Sequence, residues 1–428
     1  MKLNRLAGVV SAVALTVGAF AAGGAQAQSL LFWSTQATPL EEGQKMRDLV
    51  LKPFGSPVEF QSMDAGPFNT RIKAELQANK GTIAVIGGLH GEFTVYDKNL
   101  VDLSDVAKGL GDVKVNETFA KLGKLGGEQQ KYMPWMQATY LMAANKKALE
   151  YLPAGADVNA LTYDQLIAWG KTLKEKTGGP KIGIPAGPRG LLARFVQGYL
   201  YPSFTDSMVT KFRSAEAEKM WGTMKTLWAE TNPASTSYNF MQEALLTDEV
   251  WVVWDHAARL QEAFNTRPDD FIAFPAPAGP TGRGFMPVIA GIGIPSTAPD
   301  QANAKKLIAH LMQPKTQVET LRATGFFPVV DVQIPDDVQP SVKIEAAAIA
   351  KQSSAKDAKP GLLPVGLGDQ GGQFNKVYTD TFQRILLANH PIREVLDSQG
   401  AQLKAILEKT GAPCWAPDKP STGACPVE

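Results

Sequence analysis

Near its start the chain alternates short apolar runs with one amphipathic run, and this rhythm constrains the fold more than any other feature. The apolar runs lie at residues 29–35, 58–62 and 82–88. Between the second and third, Phe68, Ile72 and Leu76 recur every four residues, which predicts a helix over residues 67–79. Strand, helix and strand in this order predict right-handed βαβ units in a parallel sheet.

The rest of the chain mixes strands and helices over a length that exceeds one core. Apolar runs predict strands at residues 140–145, 250–254, 271–274 and 285–295, and periodic stretches predict helices at residues 162–176, 216–230 and 302–312. Thr162 is a suitable N-cap, with Gln165 three residues later. Roughly 400 residues are more than one hydrophobic core usually supports, so two lobes are expected.

The first 27 residues have the three parts of a secretory signal peptide. Lys2 and Arg5 precede an apolar run over residues 6–22, and Ala25 and Ala27 provide the small residues that a signal peptidase reads. The run is too short for a membrane-spanning helix. We therefore expect cleavage after Ala27 and a periplasmic protein without a lipid anchor, since no cysteine lies near this point.

Composition argues against several kinds of partner. The chain has 43 Lys and Arg against 42 Asp and Glu, whereas nucleic acid and anionic lipid require clustered basic residues. Its 4 histidines are dispersed, so no metal site is expected. The only cysteines, Cys414 and Cys425, are expected to form a disulfide in an oxidising compartment, because a metal or redox pair would need CxxC-like spacing.

Nine short motifs follow one another in a characteristic order. They are Phe32-Trp33 and residues 82–88, 103–105, 132–135, 145–149, 161–166, 274–280, 291–296 and 325–328. In this order and spacing they resemble the extracellular solute-binding proteins of ABC importers, specifically the carbohydrate-binding group that includes maltose-binding protein. The chain departs from the family pattern at Thr247–Trp251 and in its C-terminal cysteine pair.

The resemblance implies an α/β fold of two lobes, each a mainly parallel sheet flanked by helices, joined by hinge crossings. We expect crossings near residues 137, 286–289 and 329–331. Lobe one would comprise residues 29–137 and 290–328, and lobe two residues 138–286 and 332–428. A ligand would lie between the lobes, beyond the carboxyl ends of the strands.

A sugar site needs flat apolar surfaces and fixed hydrogen-bonding groups, so aromatic and polar residues at strand ends are the candidates. Those in the first part of the chain are Trp33, Ser34, Thr35, Asp64, Gly88, His90, Trp135 and Gln137. Trp33 suits core packing equally well, and Asp64 suits capping of the helix that follows. His90 lies two residues before Glu92, but the pair lacks further ligands for a metal.

Trp254 and Asp255 form the strongest predicted pair, because an aromatic ring and a carboxylate end one buried strand before His256. The alternative is a core tryptophan beside a capping aspartate. Lower-ranked candidates are Arg189, Arg194, Gly291, Phe327 and Phe374, the last two beside Phe326 and Asn375.

The resemblance implies that a monomer captures a sugar or polyol and delivers it to membrane permease subunits, without a cofactor and without making or breaking bonds. Two alternatives stay open. The same fold could bind a polyamine, or a phosphate ester if Arg189 and Arg194 both face inward. A secreted glycoside hydrolase could use Asp64 and Asp255 as its carboxylate pair, although the chain has no GxSxG or HExxH motif.

Overall fold

A computed structural model describes residues 29–37 and 40–428 of the chain. The predicted signal peptide lies outside the described residues. In these two ranges, no helix combines the length and the apolar character needed to cross a membrane.

The secondary structure consists of short strands and of helices that range from 4 to 19 residues. The strands are β1 (Leu30–Ser34), β2 (Val58–Ser62), β3 (Ile83–Leu89), β4 (Met133–Ala138), β5 (Tyr140–Asn145), β6 (Ile182–Gly183), β7 (Val252–His256), β8 (Phe271–Phe274), β9 (Arg283–Phe285), β10 (Val288–Gly293) and β11 (Ala358–Pro360). The helices are α1 (Leu40–Lys45), α2 (Ala65–Gln77), α3 (His90–Phe93), α4 (Ser104–Gly109), α5 (Glu117–Leu122), α6 (Tyr163–Thr177), α7 (Leu192–Phe195), α8 (Tyr201–Thr205), α9 (Ala215–Ala229), α10 (Gln242–Leu246), α11 (Gln261–Thr266), α12 (Gln301–Leu311), α13 (Pro314–Thr324), α14 (Pro340–Ser354), α15 (Gly371–Phe382) and α16 (Ile392–Thr410).

The first sheet has the strand order β2-β1-β3-β10-β4. β1 pairs in parallel with β2 and β3, as the early strand–helix–strand pattern predicts. β3 contributes Ile83 and Ile86 to one apolar cluster and Ala84 and Val85 to another, so it is buried on both faces. β10 comes from much later in the chain and runs antiparallel to β3 and β4.

The second sheet has the strand order β6-β7-β5-β8. β5 is antiparallel to both β7 and β8, while β6 and β7 are parallel. In each sheet one strand runs against the others, β10 in the first and β5 in the second, and the remaining strands share one direction, as expected for mainly parallel sheets. The reversal arises because β5 and β10 enter directly from a passage between the lobes, without the helical crossover that parallel pairing needs. The predicted two-lobed α/β architecture is confirmed.

Three passages of the chain connect the two lobes, and β9, at the second of them, pairs with β11 in a small third sheet. Thr139 alone separates β4 from β5, residues 286–287 separate β9 from β10, and the third passage runs between α13 and α14. The Thr139 hydroxyl donates to the Met286 carbonyl over 3.0 Å, which joins the first two passages. Backbone hydrogen bonds of 2.9 and 2.7 Å between Gln137 and Phe327 join the third to the first.

The predicted start of α6 is confirmed by a capping box. The Thr162 hydroxyl accepts from the Gln165 backbone N–H over 3.2 Å, and the Gln165 side chain accepts from the Thr162 backbone N–H over 3.0 Å. Two N–H groups at the helix start are thereby satisfied.

The C-terminal tail is fastened to the second lobe. The predicted disulfide is present, with the Sγ atoms of Cys414 and Cys425 1.97 Å apart. Inside its loop, the buried Asp418 carboxylate accepts five hydrogen bonds, from the hydroxyls and backbone N–H groups of residues 207–210. The Ala416 carbonyl accepts from the Leu362 backbone N–H over 2.9 Å, which connects the tail to the chain before α15.

Candidate ligand-binding cleft

A cleft of about 270 Å³ lies between the two lobes. Its lining comes from the residues after β3, from α7, and from the segment before and into α15: Leu89, Gly91, Glu92, Arg194, Leu363, Pro364, Leu367, Gly368, Gly371 and Asn375. Two cavities of about 460 Å³ lie elsewhere, one beside α6 and α9 and one beside α1 and α13. The cleft is the better candidate because it lies beyond the carboxyl end of β3, where open α/β sheets bind ligands.

Glu92 is the acidic group of this cleft. Its Oε2 accepts hydrogen bonds of 2.7 Å from the Thr35 hydroxyl and from the Leu89 backbone N–H. Gly88 permits this approach, since a Cβ there would lie 2.7 Å from the same oxygen. Burial raises the pKa of the Glu92 carboxyl, although the two hydrogen bonds oppose the rise. Oε1 has no hydrogen-bond partner among residues 29–37 and 40–428 and is available to a ligand.

Arg194 brings a positive charge to the opposite wall. Its Nη1 donates over 3.0 Å to Oε1 of the fully buried Gln197. Nε2 of Gln197 then donates over 3.0 Å to Oδ1 of Asn375. A guanidinium group can only donate, so Arg194 determines the orientation of the Gln197 amide, which in turn determines that of Asn375. The amide nitrogen of Asn375 is thereby left for the cleft. Burial lowers the pKa of the Arg194 guanidinium, which is a cost of holding this charge away from water.

The strand-end residues Trp33, Ser34 and Thr35 have three different environments. Thr35 supports Glu92 through its hydroxyl. The Ser34 hydroxyl is fully buried and accepts from the Gln36 backbone N–H over 2.9 Å. The Trp33 ring is half-buried, packs at the edge of an apolar cluster and lies 5.8 Å from the Arg71 guanidinium. Neither Trp33 nor Ser34 lines the cleft.

Trp254 and Asp255, the strongest predicted pair, lie inside the second lobe. The Trp254 ring is 1% exposed and stacks on Tyr140, with centroids 4.9 Å apart and an interplanar angle of 2°. The Asp255 carboxylate is 0% exposed and accepts from the backbone N–H groups of Met241 and His256 at 2.9 and 2.7 Å. Both side chains are occupied in holding the core together, so neither faces the cleft.

Three further aromatic candidates are also core residues. Trp135 is fully buried beside Phe32, with ring centroids 5.5 Å apart. Phe374 is fully buried against Trp415, and Phe327 is buried in a small cluster of α13 and α14. Their burial removes them from ligand contact in this structure. As a result, none of the described residues that line the cleft is aromatic.

The remaining polar candidates near the sheets support the frame of the cleft. His90 is buried, its Nδ1 lies 2.5 Å from the Tyr132 hydroxyl, and burial lowers its pKa to about 4. Gln137 donates over 2.7 Å to the Pro328 carbonyl. Gly291 is needed because a Cβ there would lie 2.2 Å from the Tyr132 ring. These residues contact protein groups instead of lining the cleft.

Two candidates lie on the surface. Asp64 precedes α2 at the N-cap position without a side-chain capping bond, so neither its binding role nor its capping role is seen. Arg189 is exposed, and its backbone N–H donates to the Asn239 side chain. Arg189 therefore does not join Arg194 at the cleft.

The sequence interpretation did not predict Glu92, Gln197, Gly91 or the lining segment before α15 as ligand-binding, and it considered Glu92 only beside His90 as a metal ligand. The contact between Gln197 and Arg194 could have been predicted, because the two residues are three apart on a helical stretch and this spacing allows their side chains to meet. The segment has no comparable signal, since its place at the cleft depends on tertiary contacts. Among the residues with a described structure, no group of three or more His, Cys, Asp and Glu side chains is placed to hold a metal ion.

Comparison with known families decides the assignment. The family model described as bacterial extracellular solute-binding protein matches residues 37–318, well over half of the chain. The chain belongs to this family. A search of curated proteins finds no match.

Solved structures of solute-binding proteins share the fold. Maltose-bound MalE3 of T. maritima has a TM-score of 0.69 at 15% identity, over 89% of this chain and 100% of that one. The sugar-binding protein MalE of Xanthomonas citri has a TM-score of 0.69 at 15% identity, over 89% and 98%. UgpB of Mycobacterium tuberculosis, in complex with glycerophosphocholine, has a TM-score of 0.69 at 16% identity, over 89% and 99%. At these identities the likeness shows the fold, which is the two-lobed fold of periplasmic binding proteins.

Proposed function

We propose that this protein captures a small sugar between its lobes and delivers it to the permease of an ABC importer. The observation that carries the proposal is the cleft to which both lobes contribute polar groups, Glu92 from one and Arg194 with Asn375 from the other. Sugar hydroxyls both donate and accept, so they can satisfy a carboxylate oxygen and N–H donors together. Family membership supports this class of ligand, as do the maltose bound in the T. maritima structure and the description of the Xanthomonas citri protein as sugar-binding.

We further propose that the three passages between the lobes form a hinge. On this proposal, lobe one comprises residues 29–137 and 290–328, and lobe two residues 138–286 and 332–428. A ligand held by both walls binds the closed form more tightly than the open form, and this difference drives closure. The permease would then recognise the closed form.

The same proposal includes export of the protein and binding of the ligand without catalysis. The protein would be cleaved after Ala27, act as a periplasmic monomer without a lipid anchor, and release its ligand unchanged without a cofactor. A hydrolase would need two carboxylates on either side of one bond. Asp255 is enclosed in the second lobe and Asp64 is on the surface, so this predicted pair does not form. A polyamine would favour several carboxylates, whereas Glu92 is the one carboxylate in the described lining.

A thermal-shift and calorimetry screen tests the proposal. The ligands are glucose, galactose, maltose, maltotriose, glucuronate, galacturonate and spermidine. At a concentration of 100 times Kd, a ligand of the folded state adds about 2.7 kcal/mol to the free energy of unfolding, so the melting temperature rises measurably. We expect at least one carbohydrate to bind, and Glu92→Gln to weaken it. Asp336→Asn on the exposed surface is the matched control. Turnover of a carbohydrate, or binding of spermidine alone, would overturn the proposal.

A further inference from the structure

The polar side chains of the second-lobe wall of the cleft offer hydrogen-bond donors without acceptors. Gln197 Oε1 is taken by Arg194, and Asn375 Oδ1 is taken by Gln197. What remains is the rest of the Arg194 guanidinium and the Asn375 amide nitrogen, and both only donate. The orientation of the two amides follows from the donor-only guanidinium, so it does not depend on how their oxygen and nitrogen atoms are assigned.

The first-lobe wall has the opposite character. Glu92 presents Oε1 as an acceptor, while Oε2 is held by Thr35 and Leu89. A ligand between the walls therefore meets an acceptor on one side and donors on the other. A neutral hydroxyl suits Glu92, whereas a hydroxyl at the donor wall meets no side-chain acceptor for its own proton.

The positive charge of the donor wall is that of Arg194, which forms no ion pair with the described residues, and Arg259 lies outside the cleft lining. In the part of the chain that the structure describes, neither Arg194 nor Arg259 has a carboxylate oxygen within 4.0 Å. Arg259 donates to the carbonyls of Asn239 and Arg189, which are neutral. Burial raises the pKa of Tyr140, and the charges of both arginines oppose the rise, so both act on the same ring. Asp255 contributes only part of a negative charge at neutral pH, because burial raises its pKa to about 7, and His256 is neutral, with a pKa of about 3.

The N-terminal end of α15 strengthens this preference. Gly371, the first residue of the 12-residue helix, lines the cleft next to Asn375. The positive end of the helix dipole thus faces the same wall as the guanidinium, and it favours negative charge.

We propose that the ligand is a small carbohydrate bearing one anionic group, a carboxylate or a phosphate, which lies against Arg194 and Asn375 while a sugar hydroxyl lies against Glu92. This inference rests on the proposed function. An anionic group only accepts hydrogen bonds and can meet a guanidinium in a bidentate manner. The cleft of about 270 Å³ is below the roughly 300–1,000 Å³ of pockets for drug-sized ligands. Together with the lack of a lining aromatic side chain in the described residues, this size favours a single sugar ring over an oligosaccharide.

Calorimetry with matched sugars tests the inference. Glucose, galactose and mannose are compared with glucuronate, galacturonate and mannuronate, and with glucose 6-phosphate, at pH 7.5 and low salt. We expect at least one anionic sugar to bind at least ten times more tightly than its parent hexose. The hexuronates and glucose 6-phosphate separate a carboxylate from a phosphate as the bound group.

Two variants of the donor wall complete the test. Arg194→Gln should weaken the binding of the anionic sugar at least tenfold more than it weakens the binding of the parent hexose. Asn375→Asp, which adds a negative charge to the same wall, should also remove the preference, and it provides a second arm if Arg194→Gln does not fold. Equal binding of hexose and hexuronate, or binding of maltose alone, overturns the anionic class but leaves the proposed function intact. If none of these carbohydrates binds, both fail.

Discussion

Gly91 of the first lobe and Pro364 of the second lobe meet across the cleft. A Cβ at Gly91 would lie 2.5 Å from the Pro364 carbonyl oxygen, which is closer than side-chain carbons come to an oxygen. The lobes can reach this separation because residue 91 has no side chain.

Gly91→Ala is therefore expected to hold the lobes apart. Ligand affinity should fall at least about tenfold, because the closed form becomes less populated. The melting temperature without ligand should stay unchanged or rise slightly, since alanine favours the helical conformation of α3. Calorimetry with the ligand found in the screen measures the effect. Gly222→Ala is the control, because a Cβ there meets nothing within 4 Å. Unchanged affinity in Gly91→Ala would show that this contact plays no part in closure.

Trp254→Ala should act on stability. The ring is stacked on Tyr140 and lies edge-on to Phe195 and Tyr199, with centroids 4.9 and 5.1 Å away. Its removal leaves a large cavity, so the free energy of unfolding should fall by about 3–5 kcal/mol in urea titrations. Trp33→Ala, at a half-buried ring, should cost less. A Trp254→Ala protein with parental stability and no ligand binding would restore the original site prediction.

Asp255 should make the protein less stable as pH rises from about 4 to about 7. Burial raises its pKa from 3.8 to about 7, so in this range the folded state retains a proton that the unfolded state has lost. At about 1.4 kcal/mol per pKa unit, the loss from this group is up to about 4 kcal/mol.

Asp255→Asn removes this titration and tests the expectation. Burial lowers the pKa of His256 to about 3, so His256 makes the protein more stable as pH rises, opposite to the effect of Asp255. Because this contribution is the same in the parent and the variant, it cancels in the difference between their free energies of unfolding. In urea titrations at pH 4, 5.5 and 7, the free energy of unfolding of the variant should rise relative to that of the parent as pH rises. A constant difference between the two proteins would refute the assignment.

Glu345 is a second buried acid whose replacement should stabilise the protein. It is 0% exposed, and in the described part of the chain neither carboxylate oxygen makes a hydrogen bond of ordinary geometry, although the Gln261 side chain is close enough to oppose the rise of its pKa. Burial raises its pKa well above the usual value. Glu345→Met should raise the free energy of unfolding at pH 7 by about 1–3 kcal/mol, because an unsatisfied polar group leaves the core. Glu408→Met, at an exposed residue, should change it by less than about 0.5 kcal/mol. A less stable Glu345→Met protein would indicate a partner for this carboxyl.

Asp418 should contribute about as much as the disulfide to the stability with which the C-terminal tail is held. An asparagine has one acceptor oxygen where the carboxylate accepts five hydrogen bonds, so Asp418→Asn should cost about 2–4 kcal/mol. Replacing Cys414 and Cys425 with serine should cost about 3 kcal/mol at most, by loop entropy. Both changes release the same tail, so together they should cost less than their sum in denaturant titrations. Strict additivity would mean that they act independently, and Asp336→Asn serves as the exposed control.

Local chemistry made part of the fold predictable. Thr162 and Gln165 have the spacing of a capping box, and the box forms. The pairing of β5 and β10 could not be predicted from the sequence, because each strand pairs with strands that are far away in the chain. Hydrophobic periodicity reports that a segment is a strand but not the direction from which it enters its sheet.

The site was less predictable than the fold for two physical reasons. Val252, Val253 and Trp254 are all buried, so β7 shows no alternation that would reveal which of its faces is near ligand. The donor wall depends on Arg194 and Asn375, which are brought together through Gln197 across more than half of the second lobe's sequence. Charge and amide content mark each residue as a candidate, but only the tertiary contact decides which of their atoms remain free.

The bond from Thr139 to Met286 ties two of the connections between the lobes to each other. Lengthwise sliding of the two connections past one another would break this bond, so rotation is the favoured relative motion of the lobes. A pair of fluorescent labels, one on each lobe, would then report mainly a change of angle when a ligand is added.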